Sequence, residues 1–184
     1  MPPLCSSKEI NMNLITKMKP RYYVIYSLII ALGIIIDQIS KLVVVKLLKP
    51  IDDFPLWDGV FHFNYHENKG AAFGMLADNR WVFIIVSTVA IIALGIYLFI
   101  GRASNTLMGV SMALIISGGI ANMIDRIFLG YVVDFLYFKL INFAIFNIAD
   151  SFVCIGAGLM MLALILEIVA ESKKSKSAEG KNDK

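Results

Sequence analysis

The chain has 184 residues, 58% of them hydrophobic and only 17% charged, with a mean hydropathy of +0.74. Soluble domains usually run near ~25% charged. The balance excludes disorder, a nucleic-acid-binding domain and a secreted disulfide scaffold, and leaves a soluble protein with a greasy core or a small membrane protein.

The placement of the apolar residues decides between them. Residues 1–20 are polar and read as a mobile N-terminal tail. The first apolar run goes from Tyr22 to Ile36 without a charge, meets Asp37, Ser40 and Lys41, and resumes to Leu48. It lacks the small-x-small site of a cleavable signal peptide. The second run, Trp81 to Ile100, and the third, Thr106 to Ile124, carry no charge. The fourth begins near Asn147, carries Asp150, and is apolar from Phe152 to Leu166. Residues 171–184 read as a second solvated tail rich in Lys, Ser and Glu. About 20 helical residues cross a ~30 Å hydrocarbon layer, so each run predicts one span.

The non-membrane segment, about residues 49–80, joins the first two runs. Pro50, Pro55 and Asp58-Gly59 are turn signals. From Val60 to His66, Phe61, Phe63 and Tyr65 alternate with His62, Asn64 and His66, which predicts a strand. A small sheet on the membrane surface, its aromatic face toward lipid or helix ends, fits that pattern. Trp57 and Trp81 suit interfacial anchors. The fold expected is therefore an all-α polytopic membrane protein, with four transmembrane helices over residues 21–170 and a small extracytoplasmic sheet.

Lys and Arg set the orientation. With both termini inside, the inner segments hold Lys8, Lys17, Lys19, Arg21, Arg102 and the lysines from Lys173 onward, the larger share of the 17 basic residues. The formal charge of +3 then reflects topology rather than nucleic-acid affinity.

Acidic residues inside a membrane are costly and so informative. Asp37 lies about 22 Å along the first helix from its inner end, and Asp125 about 28 Å along the third. Asp150 lies about 26 Å above the inner end of the fourth. Asp134 follows Asp125 across Gly130 and belongs at the same level. Four acids thus meet near the outer boundary, and the pattern does not choose among them. Asp37 and Lys41 share a helix face, as a plain ion pair or as organisers of a site. Gly118, Asn122, Asp125 and Arg126 occupy neighbouring turns, as packing groups or as part of that site. Asn147 reads equally as a helix cap, and Asp150 as a group stabilised at a helix N-terminus.

Other candidates carry less. His62 and His66 lack the helical spacing of a zinc protease, so no metal is expected. Ser40 and Lys41 are adjacent and point about 100° apart on a helix, which is unsuited to a Ser/Lys dyad. Cys5 falls in a tail and Cys154 in a helix, so no disulfide is expected. No phosphate loop or dinucleotide fingerprint occurs, and no cofactor is expected.

Five ordered motifs carry a resemblance: Asp37-Gln38-Ile39-Ser40-Lys41, Asn68-Lys69-Gly70-Ala71-Ala72-Phe73-Gly74, Gly118 through Arg126, Val133-Asp134-Phe135, and Phe146-Asn147-Ile148-Ala149-Asp150. Over roughly residues 22–170 the chain resembles the bacterial lipoprotein signal peptidases (signal peptidase II), four-helix membrane aspartyl proteases. Ala121 stands where that family usually has Gly, a change that touches no chemical group. The resemblance implies a catalytic dyad of Asp134 and Asp150. It implies supporting roles for Asp37, Asn68, Asn122 and Arg126, with Lys41, Gly118, Asp125 and Asn147 also at motif positions. It further implies a sheet cradle resting on the membrane, diacylglyceryl-modified prolipoproteins as substrates, cleavage before the lipidated cysteine, and inhibition by globomycin-type peptides. The expected compartment is the bacterial cytoplasmic membrane, and the expected state a monomer, since one chain can build the site. A proton-coupled carrier using Asp37, Asp125 and Asp150 is the alternative reading, although carriers favour repeats and midplane sites. A purely structural membrane subunit is a third, and leaves four acids at one depth unexplained.

Overall fold

The computed structural model describes residues 19–70, 80–101, 103 and 105–182. Four helices and three strands follow one another: α1 (Pro20–Leu47), β1 (Asp53–Trp57), β2 (Phe61–Asn68), α2 (Arg80–Phe99), α3 (Thr106–Phe128), β3 (Val132–Tyr137) and α4 (Ile148–Asn182). The predicted tail before Lys19 and residues Ala71–Gly74 of the second motif lie outside the described residues.

The helices are inside out by the standards of a soluble protein. In α1 the buried residues are Tyr26, Gly33, Asp37, Lys41 and Val44, while Leu28, Leu32, Ile36, Ile39 and Leu42 are more than half or close to half exposed. A water-soluble helix would reverse this. Apolar side chains facing lipid and polar ones facing the bundle are what a bilayer demands. Among the described residues, three helical stretches, Pro20–Leu47, Thr106–Phe128 and Ile148–Lys173, are long and apolar enough to cross a membrane.

Helix α3 is central and packs against the other three helices. Small residues permit close approach, as in membrane bundles generally. A Cβ on Gly118 would collide with the Ala149 carbonyl oxygen of α4, one on Gly33 with Ser117 Oγ of α3, and one on Gly119 would meet Ile91 of α2 at 3.1 Å. Helix α3 starts at Asn105, whose side chain accepts from Met108 N at 2.9 Å. It stops at Gly130, where φ is +85°, the left-handed conformation that glycine adopts freely beyond a helix end. That reversal sends β3 back past the end of α3.

The strands form one antiparallel sheet in the order β1-β2-β3. The predicted strand is β2, and its aromatic face meets a helix end. Phe63 and Tyr65 pack on a core of Val44, Leu48, Val133 and Phe135, between the end of α1 and β3. Pro55 sits on edge strand β1 beside a register shift, where a missing N–H is tolerated.

Residues 171–182 differ from the expected mobile tail, because α4 continues through them to Asn182. Most of this stretch is Glu, Lys and Ala, residues that lose little on entering a helix, so a helix already nucleated by its apolar part propagates into it.

Candidate active site

The polar cluster forms where the sheet-side ends of α1 and α3 meet the start of α4 and the strands β2 and β3. Lys41 is its hub. The side chain is almost wholly buried, and an ammonium has three protons to place. They go to Asp37 Oδ2 at 2.7 Å, Asp125 Oδ2 at 2.8 Å and Asn122 Oδ1 at 2.9 Å. The i,i+4 spacing of Asp37 and Lys41 on one helix face makes the first of these pairs.

The other oxygens of those acids are used as well. Asp37 Oδ1 accepts from Ala149 N at 2.8 Å, so an anion caps the N-terminus of α4, where helix amides lack partners. Asp125 Oδ1 accepts from Gln38 Nε2 at 2.9 Å, and its Oδ2 from Val133 N at 3.3 Å. Gln38 also donates to Ala121 O at 3.2 Å. Both acids thus join α1 and α3 to their neighbours.

Asp134 and Asp150 are held by amides. Asp134, 1% exposed, accepts from Asn147 Nδ2 at 2.6 Å on Oδ1 and from Asn68 Nδ2 at 2.8 Å on Oδ2. Asp150 accepts from Asn122 Nδ2 at 2.7 Å on Oδ1 and from Asn147 N at 3.2 Å on Oδ2. Asn147 Oδ1 in turn accepts from Asp150 N at 2.9 Å. This reciprocal pair is a capping box, so the cap and the acidic site are the same residues. Asn147 therefore bonds both carboxylates, one from its side chain and one from its backbone. Burial, followed by the nearby Asp150 carboxylate, pushes the Asp134 carboxyl up to about 7. Arg126 Nη1 and Nη2 lie 3.5 Å from Asn122 O and Gly70 O.

The ten residues expected from the sequence to form the site all come to this cluster: Asp37, Lys41, Asn68, Gly118, Asn122, Asp125, Arg126, Asp134, Asn147 and Asp150. Gly118 contributes space, by letting α3 approach Ala149 at the start of α4. The sequence reading passed over Gln38 as a site residue, although it lies in a quoted motif and interrupts an apolar run. Neither histidine bonds into the cluster among the described residues, although His66 stands opposite Asp134 in the β2–β3 register. His62 is buried at the far end of the sheet, where Nε2 accepts from Gly59 N at 3.3 Å and Nδ1 faces Asp53 Oδ2 at 2.9 Å, and His66 is exposed. Ser40 Oγ donates to Asp37 O at 2.6 Å, a local helix bond.

An apolar exterior around a buried, carboxylate-rich polar cluster defines an integral membrane protein with a chemically active interior. Residues 29–166 match the family model described as signal peptidase (SPase) II, and the chain belongs to that family. It is 42% identical over 150 residues to the lipoprotein signal peptidase of Clostridium tetani, covering 80% of this chain and 96% of that protein. It is 45% identical over 132 residues to the lipoprotein signal peptidase of Clostridioides difficile, covering 72% and 88%. Among solved structures, a bacterial membrane enzyme determined in meso at 2.3 Å superposes with a TM-score of 0.73 at 35% identity, over 79% of this chain and 90% of that one. A second such structure, at 1.9 Å, gives 0.69 at 36%, over 77% and 92%.

Proposed function

We propose that the chain is an aspartic endopeptidase that removes signal peptides from diacylglyceryl-modified prolipoproteins, cutting before the lipidated cysteine, with Asp134 and Asp150 as its dyad. Relatives at 42% and 45% identity are named lipoprotein signal peptidases. The observation that carries the choice of acids is Asn147, which bonds both carboxylates, while Asp37 and Asp125 share the Lys41 ammonium as their ion-pair partner.

Two neighbouring carboxylates, one buried and one half-buried, do not both ionise readily, so they share a proton. The charged member takes a proton from water, and the water oxygen attacks the scissile carbonyl. The protonated member donates to the carbonyl oxygen as negative charge develops there. The tetrahedral adduct then collapses. The C–N bond breaks, a proton passes to the departing cysteine amine, and the signal peptide leaves with a new carboxylate. The chain's own acids suffice for every proton transfer. Asn68, Asn122 and Asn147 hold the carboxylates in place, and Arg126 adds positive charge beside them.

In this reading α2, with 20 residues and so about 30 Å long, is the fourth span. Basic residues place both termini in the cytoplasm, and the site lies near the outer face, where water reaches it while the substrate's acyl chains stay in lipid. Residues 21–170 are the peptidase domain, with 171–184 as its cytoplasmic extension. A single chain works alone, and globomycin-type peptides compete with the substrate.

The test is proteolysis by the purified protein in lipid, with one prolipoprotein offered in diacylglyceryl-modified and unmodified forms. Cleavage of the modified form alone, leaving an N-terminal lipidated cysteine and persisting with a metal chelator, is expected. Equal cleavage of both forms, or loss with the chelator, contradicts the proposal.

A further inference from the structure

On the outer side of α1, next to the acidic cluster but outside it, the last turns of the helix and the underside of the sheet border a groove of about 500 Å³. Ser40, Val44 and Leu47 form one wall, and Phe54, Phe63 and Phe135 form the other. The one polar side chain among them, Ser40, donates its hydroxyl to Asp37 O at 2.6 Å and offers no proton to an occupant. An apolar space of this kind does not hold water. Left empty, its lining loses dispersion contacts. Its volume falls within the ~300–1,000 Å³ of small-ligand sites.

Position and charge identify the occupant. The groove lies along a helix long and apolar enough to cross a membrane, at the end that carries the sheet, so the medium against it is the acyl region just below the headgroups. Lys46 lies in the last turn of α1, outside the groove but one turn beyond its rim residue Val43, and is exposed. Among the described residues it has no ion-pair partner. A lysine at this depth extends its stem toward the headgroups and presents its ammonium there.

We propose that the groove seats one acyl chain of a bilayer phospholipid, whose anionic phosphate is met by Lys46. The seated chain packs on Phe135 and so braces the strand that carries Asp134.

The probe is a phosphatidylglycerol with a photoactivatable group midway along one acyl chain, in vesicles containing the full-length protein. Crosslinks are mapped by peptide mass spectrometry. Expected is labelling at residues 40–54, Phe63 and Phe135 about tenfold above the exposed apolar positions Ile35, Ile36 and Ile39 of the same helix, the preference that roughly 1.4 kcal/mol gives. Val43→Trp, which fills the groove from its rim, brings groove labelling down to that background, and Leu47→Phe does so in part if the first variant fails to fold. Lys46→Gln removes the preference for phosphatidylglycerol over an equally labelled phosphatidylcholine. Even labelling along α1, or groove labelling unchanged by both filling variants, overturns the proposal. So does displacement of the label by excess diacylated prolipoprotein but not by excess phosphatidylglycerol, which assigns the groove to substrate.

Discussion

Asn122 donates from Nδ2 to Asp150 Oδ1 at 2.7 Å, and the direction of that bond is set by a charge on another helix. Lys41 and Asn147 both donate to Asn122 Oδ1, at 2.9 and 3.1 Å. The amide oxygen must face them, so the NH₂ must face the carboxylate. A buried lysine that never contacts Asp150 thereby fixes the donor that does.

Lys41→Met tests this. It strands Asp37 and Asp125 without their ammonium, and breaking a buried pair from one side costs about 3–5 kcal/mol. Thermal unfolding in detergent is expected to show a large drop in Tm. Turnover should fall further than the folded fraction alone explains, because Asn122 loses the charged one of the two donors that orient it and keeps only Asn147. Full kcat in the molecules that remain folded would show that Asn122 needs no such hold.

Gly118 and Gly119 differ in what a methyl would strike. At Gly118 it meets the Ala149 carbonyl, one residue before Asp150; at Gly119 it meets only side-chain atoms of Ile91 at 3.1 Å. Backbone yields less than the end of a side chain, and overpacking costs about 1–3 kcal/mol. Gly118→Ala is expected to lower both Tm and kcat, and Gly119→Ala to change either only slightly. Measuring both variants side by side checks the order, and equal effects would contradict it.

Asp134 is held protonated up to about pH 7 by burial and by Asp150. Above that pH Asp134 gives up the proton that the proposed mechanism offers to the substrate carbonyl, so kcat/KM should fall as pH rises through 7. Asn68 donates to Asp134 Oδ2 and favours its charged form. Asn68→Ala should therefore move the alkaline limb to higher pH while lowering the maximum rate. Stability has the same sign. The folded value lies above the ordinary 3.8, so the folded chain binds more protons between those values. The contribution is complete below about pH 4 and is lost as pH rises through 7. Titrating unfolding and turnover over pH 4–9 checks both.

The four apolar helices, three of them long enough to span a membrane, and strand β2 were legible because periodicity and charge scarcity act locally. Edge strand β1 was hidden behind Pro50 and Pro55, which read as turns, and β3 behind its lack of alternation: Val132 to Phe135 is buried throughout. The acids were legible as a group, since burying charge in lipid is expensive wherever it occurs. Their division was not, because it depends on which side chains lie across the bundle. Lys41 is four residues from Asp37 in sequence but also 2.8 Å from Asp125 in space, and only the second fact separates Asp125 from Asp134. Asn147 and Asp150 each had a capping explanation, and the structure shows that the capping box also holds Asp150 in the cluster.

The most direct measurement is cleavage of a diacylated prolipoprotein by purified Asp134→Asn and Asp150→Asn variants, each verified as folded, against the unaltered chain. Positioned acids and bases contribute about 10²–10⁴-fold each, so both variants should lose at least two orders of magnitude in kcat/KM, with Asp125→Asn shifting Tm as well as rate. Near-normal cleavage by either Asp134→Asn or Asp150→Asn would contradict the dyad.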